Sequence, residues 1–295
     1  MAVSIGADVL SRYRRFSLYN SPYVAHERGH AIDLYPDPGL GPATDDDPSI
    51  APSPVAGRVL DIRIVRAPPK SHAEADDHLV LVDTGDHVAR LLHVEPSVST
   101  GDSIVVGDPL GRLVRAGFFA PWVDNHVHLE FRSPDANPYR ANGSLPIGVD
   151  VPIAGLDWNG TGTVVDSGET YAVLDAPTHP APGERYVGIA ADGGGVLDGG
   201  LVHYAGGGVL AAGEHRERGG SVSLLDHQVG RTTGRDVTWG PLDVLANGEP
   251  ISGLSLFCGR EADFGAKLVC PDVEFACGEQ VTVEFRPSDD PIRLG

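Results

Sequence analysis

The chain has 295 residues, 41% of them apolar, which is enough for two domains with sizeable cores. Its 22 basic and 41 acidic side chains leave a formal charge of −19, which excludes the basic footprint that nucleic acid or an anionic membrane surface requires. Glycine (38) and proline (24) are abundant and no long helical periodicity is present, so the composition points to a mainly β fold with many turns.

The basic side chains are nearly all arginine, because Lys70 and Lys267 are the only lysines. A carboxylate-rich surface holds hydration in concentrated salt, and a halophilic, archaeal source is expected on that ground. No stretch reaches the ~20 apolar residues of a membrane span. Residues 1–19 lack the apolar centre of a signal peptide, so a cytoplasmic location is expected. Cys258, Cys270 and Cys277 form no Cys-x-x-Cys pair and read as reduced, buried thiols.

In chain order, residues 1–22 read as an N-terminal extension with one short helix over 7–17, carrying Val9, Leu10, Tyr13 and Phe16 on one face. The segment from Tyr23 to Tyr35 holds His26, Glu27, His30 and Asp33. Residues 36–50, rich in Pro, Gly and Asp, read as a loop, with Asp45, Asp46 and Asp47 a solvated run. Strands are predicted over 57–65, 78–83 and 88–93, with a polar loop over 67–77 before the second. Two more, 103–106 and 110–114, are framed by Gly101, Gly107 and Gly111 at turn spacing. Asn125 to Arg132 reads as a strand. Alternation along it places His126 and His128 on one face, as a metal ligand and a proton carrier would stand. Trp122 beside it is a candidate cleft wall.

Pro134, Asn137 and Pro138 close this first unit, set at 23–145, and residues 141–152 read as a linker. Beyond it, 150–295 forms a second domain of short strands, with candidates at 161–165, 171–174, 186–190, 220–225, 254–257, 267–269 and 280–285. An antiparallel β-sandwich or barrel-like fold is expected there. The glycine-rich run from Leu197 to Gly208 lacks the Lys-Ser/Thr of a phosphate loop and reads as a tight turn between strands.

Five segments, in order, carry a resemblance. They are Arg28-Gly29-His30-Ala31-Ile32-Asp33, Ala51 to Val59 (APSPVAGRV), Leu91-Leu92-His93-Val94, Val98 to Gly111 (VSTGDSIVVGDPLG) and His126-Val127-His128-Leu129-Glu130-Phe131-Arg132. Together, residues 23–132 resemble the lysostaphin-type (LytM-like) zinc metallopeptidases. The resemblance implies a compact, largely antiparallel β domain. It also implies zinc held by His30, Asp33 and His128, with His126 and His93 handling protons or the oxyanion. The chain departs from the family at one place: His30 and Asp33 are three positions apart instead of four, and a bulge or tight turn at Gly29–Ala31 would be needed to bring both to one ion. His26 is the fallback ligand.

What the resemblance implies is a zinc-dependent endopeptidase acting on a peptide or peptide-crosslinked substrate. The alternative is a catalytically degenerate binding or scaffold protein on the same fold. A carrier domain ranks below both. Its swinging arm needs a lysine at a hairpin tip, and Lys70 lies in a polar loop before the wrong strand.

Overall fold

The computed structural model describes residues 2–37, 50–211 and 219–294. The fold is mainly β, as expected, in two units. One comprises Met1–Phe16 and His30–Val151; the other comprises Ser17–Gly29 and Pro152–Gly295. The loop expected over 36–50, including the Asp45–Asp47 run, lies almost wholly outside the described residues.

In the first unit the strands are β1 (Val3–Gly6), β2 (Tyr13–Ser17), β3 (Ala31–Pro36), β4 (Ile50–Pro52), β5 (Gly57–Arg66), β6 (Asp76–Asp83), β7 (Val88–Leu92), β8 (Val94–Pro96), β9 (Ser103–Ile104), β10 (Pro109–Leu113), β11 (Val127–Arg132) and β12 (Ile147–Asp150). Its main sheet runs β2-β3-β11-β7-β6-β5-β9. A smaller sheet, β4-β10-β8, is antiparallel. Gly101 and Gly107 sit in turns at φ 97° and 94°, a backbone region that glycine enters without steric cost.

The N-terminus differs from the expected helix-bearing extension. Helix α1 is one turn, Ala7–Leu10, and the chain then extends into β2. The apolar spacing of Tyr13 and Phe16 suits a strand of a buried sheet equally well, and both are fully buried. The Tyr13 hydroxyl donates to the Pro52 carbonyl at 2.7 Å. The expected linker is also structured: β12 pairs in parallel with β1, Val3 opposite Ile147 and Gly6 opposite Asp150. Sequence reading sees only turn residues there, because a two-stranded parallel pair leaves no periodicity of its own.

In the second unit a curled sheet carries a core that includes Leu174, Leu197, Leu201, Val209, Trp239, Leu254 and Leu268. The glycine-rich run is two paired strands, Val196–Leu201 and Gly206–Leu210, instead of a turn. Gly208 makes room for Tyr19, since a Cβ there would collide with the Tyr19 ring, and Gly207 does the same for Trp239. The Tyr19 hydroxyl donates to Asp236 at 2.7 Å, and Arg235 donates to the Gly29 carbonyl at 2.7 Å. The Asp198 carboxylate accepts from the Ser17 hydroxyl and, at 2.7 Å, from the Leu18 backbone N–H. These bonds fix the Ser17–Gly29 segment to its unit. Cys258 and Cys270 are buried free thiols, as expected; Cys277 is exposed.

Candidate metal centre

The first unit builds a polar cluster on one face of the β3-β11-β7 sheet. β11 pairs antiparallel with β3, His128 directly opposite Asp33. Residues directly opposite in such a pair share a face and bring their Cβ atoms within about 5 Å. Ile32, Leu34, Val127 and Leu129 therefore fall on the other face, and all four are fully buried. Hydrophobic alternation thus fixes the face, and the β3–β11 ladder the register, that join a carboxylate to an imidazole across ninety-five residues of sequence.

The Asp33 Oδ1 lies 2.9 Å from the His128 Nδ1 and 3.5 Å from the His126 Nε2. The His128 Nε2 is 2.9 Å from the Glu130 Oε1. Glu130 is tied in turn to Arg90 at 2.5 Å, to Arg132 at 2.8 Å and to the Ser144 hydroxyl at 2.7 Å. Burial disfavours ionisation of Glu130, but His128 and Arg90 outweigh it and hold the carboxyl well below its usual range. Burial likewise opposes a charge on His128, yet Asp33 and Glu130 overcome this and raise its pKa to about 9.

His126 has the opposite environment. Burial, the largest influence, lowers its pKa to about 4, against the pull of Asp33. Its Nδ1–H donates to the Asp124 carbonyl at 2.8 Å, so its Nε2 is the basic nitrogen. That lone pair faces the Asp33 Oδ1, an arrangement of two acceptors that favours a cation between them.

His93 follows the end of β7 at φ 68°, a left-handed backbone that a non-glycine residue adopts at a cost. The Asp77 carboxylate offsets it, accepting the His93 backbone N–H at 2.9 Å and its ring Nδ1–H at 2.6 Å. Burial works against the Asp77 charge, but His93 prevails and keeps the carboxyl below its ordinary range. The His93 ring stands 5.0 Å from that of His126 and 5.7 Å from that of His128. Phe119 closes on His93 at 5.2 Å and on His126 at 4.7 Å, and Tyr35 on His126 at 5.1 Å. Trp122 is buried, and the rings that face the histidines are those of Phe119 and Tyr35.

Four of the expected residues, Asp33, His93, His126 and His128, therefore converge. His30 is half-buried and precedes β3. It is an odd number of positions from Asp33, so regular alternation directs the two to opposite faces. In the other unit His26 is buried in helix α2 (Val24–Glu27), its Nδ1–H donating to the Leu18 carbonyl at 2.8 Å. Sequence reasoning missed Asp77 and the structural part played by Glu130. Glu130 was visible as the next same-face residue after His128. Asp77 carried no signal beyond its place at the start of a strand.

The cluster fits a cation. Its three buried carboxylates (Asp33, Asp77, Glu130) are balanced by two buried guanidiniums (Arg90, Arg132) and by the proton that the raised pKa of His128 keeps on that ring, a positive charge that a cation would replace. The donors around that proton, a carboxylate oxygen and imidazole nitrogens, suit zinc. His128 is backed by a carboxylate on its second nitrogen, the arrangement that orients metal-binding histidines. Asp33 and His128 bring a carboxylate oxygen and an imidazole nitrogen to 2.9 Å of each other.

Residues 4–149 match the model described as domain of unknown function (DUF8155) N-terminal domain, and residues 154–286 match the corresponding C-terminal domain. The two matches meet where the units divide, at Val151 and Pro152. No curated protein matches the chain.

Proposed function

The chain belongs to the DUF8155 family, both of whose domains it carries, and on the geometry of its histidines and carboxylates we propose that its N-terminal unit is a zinc-dependent peptidase centre, similar to those of the LytM-like enzymes. One observation carries the reading: Asp33 and His128 face each other at 2.9 Å across β3 and β11, with His126 and His93 beside them. Asp33 and His128 would hold the metal. The third protein ligand that the resemblance implies, His30, precedes β3 directly.

Zinc, when bound, supplies a Lewis acid that polarises an amide carbonyl and makes water acidic near neutral pH. The chain's own groups do the rest. His93, its Nδ1–H fixed on Asp77, presents Nε2 as a base able to accept a proton from water and pass it to the departing amine. His126, neutral at pH 7 with its Nδ1–H on the Asp124 carbonyl, offers Nε2 as an acceptor that orients water or a substrate N–H. Phe119 and Tyr35 limit water around both rings. The substrate of this reading is a peptide or a peptide crosslink. No helix among the described residues is long and apolar enough to cross a membrane.

A second reading is a binding or scaffold protein on the same fold. It is favoured by His128 already engaging a carboxylate through each ring nitrogen, which satisfies the cluster without metal. Hydrolysis of short, blocked peptides in the presence of zinc separates the two. Activity that disappears in both His128→Ala and His93→Ala, with the β-rich circular dichroism unchanged, supports the peptidase. A wild-type protein with a full complement of zinc and no amidase activity on a broad peptide library supports the scaffold.

A further inference from the structure

β5 is the longest strand of the first unit, and most of one side of it is open. β9 pairs only with Gly57 and Arg58, and the Asp102 carbonyl and Gly101 N–H reach Val59. From Leu60 to Arg66 no described strand pairs on that side; the other side is filled by β6. An open edge presents a row of backbone donors and acceptors, and natural edges are blunted by charged side chains, especially lysine, by proline or by bulges. The segment Leu60-Asp61-Ile62-Arg63-Ile64-Val65-Arg66 has no lysine or proline, but it carries Asp61, Arg63 and Arg66, and a bulge interrupts the β5–β6 register at Leu60. It also exposes apolar side chains, with Leu60 at 42% and Ile64 at 66% of full exposure.

Asp61 and Arg63 pair within the strand, Arg63 Nε donating to Asp61 Oδ2 at 2.8 Å, and their alternation also makes the charges on this edge self-complementary. We infer that β5 pairs antiparallel with β5 of a second copy of the chain, about a twofold axis at Ile62. That register sets Asp61 of each copy opposite Arg63 of the other and Leu60 opposite Ile64. Moving the axis to Asp61 sets carboxylate against carboxylate, and moving it to Arg63 sets guanidinium against guanidinium. Like charges directly opposite are destabilising, so both shifts are disfavoured. Arg58 and Arg66, at the two ends, are already faced by Asp83 and Asp76 of their own hairpin. Tyr139 stabilises the strand's conformation from one face, its hydroxyl on Asp61 at 2.8 Å and its ring 3.7 Å from the Arg63 guanidinium. Three apolar side chains and two reciprocal ion pairs thus meet in a single register, and the occupant that fits this edge is the chain itself.

Sedimentation velocity of the full chain over a concentration series tests this. The wild type sediments as a dimer at tens of micromolar, and Arg63→Asp, which gathers four carboxylates at the axis, weakens the dimer by at least about tenfold. Asp61→Arg does the same, and the double swap D61R/R63D restores the wild-type constant. Ile64→Lys, at an exposed position, provides the same reading if either charge variant misfolds by circular dichroism. A wild type that stays monomeric to about 100 µM, or an Arg63→Asp protein that dimerises like the wild type, overturns the inference.

Discussion

At the scale of single residues, environment divides chemically identical side chains into different roles. His126 and His128 are two positions apart on one face. Burial takes the first down to about 4, while two carboxylates take the second up to about 9. Pairs whose environments push their pKa values apart are common at reactive centres. His93 owes its position to Asp77, which pins ring and backbone together in a left-handed conformation. Asp77→Asn keeps the shape but removes the charge that fixes the Nδ1–H tautomer. On the peptidase reading it lowers kcat by about a hundredfold or more, with KM little changed and the zinc content intact. An Asp77→Asn enzyme as active as the wild type would remove His93 from the proton path.

At the scale of elements, the hydrophobic pattern made most of the first unit's strands legible. The expectations at 57–65, 78–83 and 88–93 meet β5, β6 and β7 closely, because these strands alternate or run apolar between clear turn residues. The pairing of His126 with His128 was legible for the same reason. What could not be read was register. Nothing local in either strand says that Asp33 stands opposite His128, which is a property of the β3–β11 ladder. The glycine-rich strands Val196–Leu201 and Gly206–Leu210 failed to show as strands because glycine has low strand propensity, and Gly208 answers to the bulk of Tyr19 as Gly207 does to that of Trp239. Gly208→Val should therefore cost about 2–4 kcal/mol in urea unfolding, through overpacking against the ring. Tyr19→Ala in the same chain should recover part of that cost, giving a coupling well outside additivity. Strictly additive single and double variants would show that Tyr19 does not set the requirement for glycine.

At the scale of the molecule, a charge of −19 on 295 residues gives strong self-repulsion at low ionic strength. The thermal midpoint should rise by more than about 5 °C between 0.1 M and 2 M KCl, as the Debye length contracts from about 10 Å to below 3 Å. A midpoint insensitive to salt would argue against adaptation to concentrated salt. The proposed centre runs against this surface trend, since its buried carboxylates are balanced by Arg90, Arg132 and the His128 proton. The account therefore turns on whether a metal ion takes the place of that proton. The most direct measurement is zinc content by mass spectrometry on the purified full chain after incubation with zinc and exhaustive desalting. The account predicts about one zinc per chain, lost in His128→Ala, in Asp33→Ala and in His30→Ala. A folded wild-type protein that retains no stoichiometric zinc would contradict it.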